Sequence, residues 1–224
     1  MKIVHQWFVG AALSSLLLAG CTSKVTERDQ FSGFLTNYDD LQQVKSASGH
    51  PALRWVSPDF KPSGYDTVVF DRLQIFLAIK PTERVNLQTL QQIQSFSSDS
   101  VKEVLKQTYR VVPTAQSVPS GAKAMVMRTA MTGVAATNEG MRWYEVVPIA
   151  AVVGATEAVT GYRDQNTELY VEVEFIDLAT GKPLAKVVRK VFGTPLKNNT
   201  QQVSVDDFKA AISETVRDLK TFLK

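Results

Sequence analysis

Between residues 168 and 192 the side chains alternate: Leu169, Val171, Val173 and Phe175 on one parity, Tyr170, Glu172, Glu174 and Ile176 on the other. A period of two sorts residues onto two faces only in a strand. The stretch DLATGK at 177–182, followed by a second run from Leu184, turns that strand back on itself. A chain carrying this hairpin has to fold around a sheet. Glu172 and Glu174 are expected to face Lys186, Arg189 or Lys190 across the ladder, as solvated strand charges whose pairs are worth ~0.2–1 kcal/mol each.

Further strands are expected over 65–79, where YDTVVFDRLQIFLAI reads as one central strand or two, buried on both faces. Others are expected over 109–113 and over 123–134, where Met125, Met127 and Met131 share one side and Val126, Arg128 and Ala130 the other. Three methionines at period two suit a core better than a soft-metal site. Helical spacing marks 86–108, with Ser97-Ser98-Asp99 as a place where it could break, and a terminal helix from an N-cap at Ser204. On that helix Phe208, Ala211, Ile212, Val216, Leu219, Phe222 and Leu223 make one apolar stripe. Phe31, Phe34, Leu35, Tyr38 and Leu41 have the intervals of a short helix or helical turns, and 49–64, with three prolines, reads as an extended or looping connection. The expected fold is α+β: a single domain with a mostly antiparallel sheet packed against two principal helices, preceded by an N-terminal lipoprotein signal peptide.

The signal peptide is read from the first 21 residues, MKIVHQWFVGAALSSLLLAGC, which have a basic start, an apolar run and small residues before the cysteine. The run is shorter than the roughly 20 apolar residues that span a bilayer. Leu18-Ala19-Gly20-Cys21 resembles the bacterial lipobox, which implies cleavage between Gly20 and Cys21 and lipidation of Cys21. Two or three acyl chains make a stable anchor where one binds only marginally. Thr22 stands where the resemblance associates an aspartate with inner-membrane retention, which implies the outer membrane, facing the periplasm. The expected organisation is a signal peptide over 1–20, a lipid-anchored tether over 21–30 and a periplasmic domain over 31–224. Cys21 is the sole cysteine, so once it is lipidated no disulfide is available and packing alone holds the domain. Loss of residues 1–20 leaves 24 basic against 22 acidic residues, without a basic block, and no nucleic-acid partner is expected.

Three stretches carry a wider resemblance: Phe31-Ser-Gly-Phe34-Leu35-Thr-Asn-Tyr38, Arg128-Thr-Ala-Met-Thr132-Gly-Val, and Glu174-Phe-Ile-Asp177-Leu-Ala-Thr-Gly181-Lys. Their order and spacing, together with the lipobox, resemble the bacterial lipoproteins of domain-of-unknown-function family 3313. The resemblance implies a Gram-negative envelope lipoprotein of unassigned activity, and it carries over no catalytic residues. The element order also resembles the small α+β periplasmic domains of outer-membrane assembly lipoproteins, an analogy of fold and not of function.

Few residues offer chemistry. His50, in Ser48-Gly49-His50-Pro51, is the only histidine after residue 20 and is expected to be a solvated loop residue. Asp39, Asp40 and Asp66 are carboxylates that no pattern brings together, and no glycine-rich phosphate loop is present. No catalytic residue, metal or cofactor is therefore assigned. The apolar stretch 146–159 is too short to span a membrane, and Val146, Ile149, Val152 and Val153 form its candidate interaction surface. The expectation is a non-catalytic interaction or envelope-assembly module, held to the membrane through the lipid on Cys21 and docking an envelope protein. The alternatives are a carrier of a small apolar ligand or lipid, which a sizeable apolar pocket would favour, and a carboxylate-dependent cell-envelope enzyme.

Overall fold

A computed structural model describes residues 24–76, 82, 84–138, 165–198 and 200–224. Its strands are β1 (Gln42–Lys45), β2 (Pro51–Val56), β3 (Thr67–Val69) and β4 (Gln74–Ile75), followed by helix α1 (Leu87–Leu105). Then come β5 (Arg110–Val112), β6 (Ala124–Asn138), β7 (Gln165–Asp177), β8 (Pro183–Phe192) and helix α2 (Asp206–Phe222). The eight strands form one sheet in the order β1-β2-β8-β7-β6-β3-β5, with β4 also paired to β6. Pairing from β1 through to β6 is antiparallel, whereas β3 and β4 run parallel to β6 and β5 parallel to β3. This is the expected α+β architecture, with a parallel edge added to a mostly antiparallel sheet.

The hairpin at 168–192 is β7–β8, closed by a turn in which Gly181 takes φ 69° and Asp177 accepts from the Thr180 N–H at 2.7 Å. The stretch 65–79 yields two short strands, β3 and β4, both along one edge of β6, and residues 77–79 lie outside the described residues. The connection at 49–64 contains a true strand, β2, because its residues pair with β1 on one side and β8 on the other.

Helix α1 is unbroken. Asn86 caps it by accepting from the Thr89 N–H at 2.8 Å. Ser98 donates to the Gln94 carbonyl one turn back at 2.6 Å and accepts from the Leu73 N–H at 3.0 Å, so Ser98 ties the helix to the chain before β4. Helix α2 begins later than expected: Val205 is its N-cap residue, and Ser204 gives its N–H and hydroxyl to the Asp207 carboxylate at 2.8 and 3.0 Å. The expected stripe of α2 packs with α1 over the face of the sheet that carries Met125, Met127, Met131, Leu169 and Phe175.

The opposite face is covered differently from the sequence expectation. Residues 31–41 form no helix; they make an irregular strap across the sheet, in which Gly33 takes φ 85°. Phe34 and Leu35 are buried against Ala130 and Val188, and Phe31 stacks on Tyr38 with ring centroids 4.4 Å apart. The strap's polar groups meet the strand charges. Glu172 accepts from the Ser32 N–H at 3.0 Å and the Tyr38 hydroxyl at 2.5 Å, and Glu174 accepts from the Thr36 N–H at 3.3 Å and from Arg128 at 2.7 Å. Lys186 donates to the Asn37 side chain and the Asp39 carbonyl and lies 4.8 Å from the centre of the Trp55 ring. The expectation of solvated strand charges is corrected here: Glu172 and Glu174 are 1% and 0% exposed. Helical hydrogen bonding lost its competition because buried carboxylates need donors, and an extended strap aims its N–H groups at them.

Docking extends upstream of residue 31. Thr26 is buried, and Arg28–Gln30 form a 3₁₀ turn closed by reciprocal bonds between Glu27 and Gln30. Tyr170, whose hydroxyl is 2.5 Å from Glu168, is held above its ordinary pKa by burial first and by the Glu168 charge second.

Candidate functional site

Valine side chains in the middle of β7 show where the packing is incomplete. Val171 and Val173 lie on the central strand beneath the helices, yet both are only partly buried. Above them is a cavity of about 290 Å³. Its floor is Met127 and Thr129 of β6, Leu169, Val171, Val173 and Phe175 of β7, and Val187, Arg189 and Val191 of β8. Leu73, Ser97 and Val101 close one side, and Ile212, Val216, Leu219 and Phe222 of α2 form the roof. Val44, Ala52 and Arg54 of the β1–β2 hairpin bound the remaining side, with Ser46, Ala47, Asp218 and Thr221. Volumes near 300 Å³ lie at the small end of ligand pockets, and mostly apolar walls with few polar groups are their usual lining.

Alternation along each strand creates this lining. Thr129 shares a parity with Met125, Met127 and Met131, and Arg189 with Ala185, Val187 and Val191, so both polar residues point to the helix side of the sheet. Arg189 therefore cannot meet Glu172 or Glu174, which lie on the strap side, and the expected cross-strand pair is corrected. It pairs instead with Asp218 of α2 at 2.6 Å. Asp218 also accepts from the Ser48 N–H and hydroxyl, both at 2.7 Å, which fastens the turn between β1 and β2 to α2. Burial raises the Asp218 pKa, but the bonds from Ser48 and Arg189 outweigh it and hold the carboxyl below its ordinary value.

Among the described residues, three buried polar side-chain atoms have no hydrogen-bond partner: Thr26 Oγ1, Thr129 Oγ1 and Arg189 Nε. Two of the three belong to residues that line this one cavity. Thr129 is 3% exposed and Arg189 7%, so neither atom is compensated by bulk water. The half-buried Arg54 guanidinium lies 5.6 Å from the centre of the Phe222 ring and makes no ion pair with a described residue. The wall is thus apolar, with one cation at its edge and two unpartnered polar atoms sealed behind its surface.

The residues singled out in the sequence fall elsewhere. Gly20, Cys21, Val146, Ile149, Val152 and Val153 lie outside the described residues. His50 lies in the turn before β2, 53% exposed, with Nε2 3.2 Å from Glu214. Asp66 is bonded to Thr67 and Lys123, while Asp39 and Asp40 belong to the turn that ends the strap. No set of three potential metal ligands converges among the described residues. Thr129, Arg189, Arg54 and Asp218 were missed as a group. A visible signal existed for two of them, a polar residue sitting in an otherwise apolar parity.

Known proteins resemble the chain along most of its length. The uncharacterized lipoprotein YdcL of Escherichia coli (strain K12) is 41% identical over 213 residues, covering 95% of this chain and 94% of the relative. Among solved structures, a PelC dodecamer from Paraburkholderia phytofirmans aligns at 11% identity with a TM-score of 0.38, covering 75% of this chain and 96% of that one. A neuraminyllactose-binding hemagglutinin homolog from Helicobacter pylori aligns at 11% identity with a TM-score of 0.41, covering 81% and 92%. A family model described as a protein of unknown function, DUF3313, matches residues 30–219, which takes in all three stretches on which the resemblance was drawn. The chain belongs to that family.

Proposed function

We propose that the protein is a lipid-anchored, non-catalytic binding module of the outer membrane, facing the periplasm, that takes up a small apolar molecule between its sheet and helices. The observation that carries this reading is the cavity of about 290 Å³ between sheet and helices, with mostly apolar walls. The anchor is supported by the lipobox-like residues ending at Cys21 and by the 41% identical relative, itself called a lipoprotein. Among the described residues no helix is long and apolar enough to cross a membrane. An envelope protein that delivers or receives the ligand is the partner this role needs.

Two measurements test it. 1-Aminonaphthalene, a neutral ten-carbon dye whose emission shifts to the blue when shielded from water, is expected to bind at one site per chain. Val173→Phe, which fills the cavity floor, is expected to abolish the signal while the circular-dichroism spectrum is retained. Dye binding unchanged in that variant would sink the cavity reading. Cys21→Ala is expected to leave the protein as unprocessed precursor or release it from the membrane fraction, and normal palmitate labelling of the variant would overturn the anchor.

A further inference from the structure

We infer that the cavity's ligand is a single-chain carboxylate of about ten to twelve carbons, its chain over β7 and its head group at Arg54. This rests on the ligand-binding reading above and specifies its chemistry. Size sets the chain: a dry protein cavity of about 150 Å³ takes benzene, so about 290 Å³ takes roughly twice as many carbons. Two such chains, as in a phospholipid, would need about twice that volume.

Charge sets the head. Three charged side chains line the cavity, Arg54, Arg189 and Asp218. Arg189 and Asp218 neutralise one another at 2.6 Å, which leaves the half-buried Arg54 as the lining charge without an ion-pair partner among the described residues. Arg54 already rests against the Phe222 ring, so its planar fork is held at the cavity's edge rather than ranging through solvent. A carboxylate there pairs charge with charge and can take two parallel bonds from the guanidinium fork, whereas a neutral alcohol accepts one bond and brings no opposite charge.

The test uses the mature lipidated protein in phosphatidylcholine nanodiscs, with equilibrium dialysis of radiolabelled decanoate or decanol and subtraction of protein-free nanodiscs. Decanoate is expected to bind at one site per chain and at least about tenfold more tightly than decanol. Arg54→Gln is expected to weaken decanoate by about tenfold and leave decanol unchanged, and Val173→Phe to remove both. Val173→Leu, a milder filling, guards against misfolding and is expected to shift binding toward shorter chains. Equal affinities for the acid and the alcohol, or indifference to Arg54→Gln, would overturn the head-group assignment while leaving the cavity reading intact. Failure of both ligands alongside Val173-sensitive dye binding would overturn the chain assignment alone. Failure of the dye as well would remove the cavity reading with it.

Discussion

Gly193 shows how closely one position can be specified. A Cβ there would lie 2.4 Å from Thr167 Oγ1, 2.5 Å from the Asp207 carbonyl and 2.8 Å from the Phe208 ring, so the end of β8 meets the start of α2 with no room for a side chain. Gly193→Ala is expected to cost about 1–3 kcal/mol or more in urea denaturation. Asp218 makes a different prediction, because its partners act through charge. Removing one member of a buried pair costs about 3–5 kcal/mol, and that is the loss expected for Asp218→Ala at neutral pH. The Asp218 pKa is lowered in the folded protein, so its contribution is full above the unfolded value near 3.8 and is lost as pH falls through the folded value. The stability gap between parent and variant is therefore expected to close on acidification below that point, and a gap that widened would show the charge was not responsible. None of this was legible from the residues alone: Gly193 and Asp218 acquire their roles from segments distant in the chain.

At the scale of elements, period decided what could be read. Strands β6, β7 and β8 and helix α2 were legible because each repeats its pattern over ten or more residues. The strap was not, since apolar residues at 31, 34, 35, 38 and 41 mimic a helical face while the buried partners of its backbone lie far downstream in sequence. The burial of Glu172 and Glu174 was hidden for the same reason, as alternation places a residue on a face without saying what covers that face. Tyr38→Phe tests the strap: it removes the hydroxyl that donates to Glu172 and accepts from the Gly33 N–H at 2.8 Å. The expected cost is about 1–3 kcal/mol, with faster amide exchange confined to 31–38. Uniform exchange across the sheet would show that the strap is not a separate unit.

For the whole molecule, the layers were predictable and the gap between them was not. Sheet, helices and their facing stripes follow from the pattern, but a cavity is a shortfall of volume, and volume is settled only when side chains from six or more elements meet. The arrangement also bears on where the protein can work. Thr26, five residues after Cys21, is buried in the domain. At the reach of an extended chain those residues span about 17 Å. If Cys21 carries the proposed lipid, the domain is moored to the bilayer on a line no longer than that. So held, it would tilt and turn but not cross a compartment, and a donor or acceptor of the proposed ligand would have to meet it at the membrane surface.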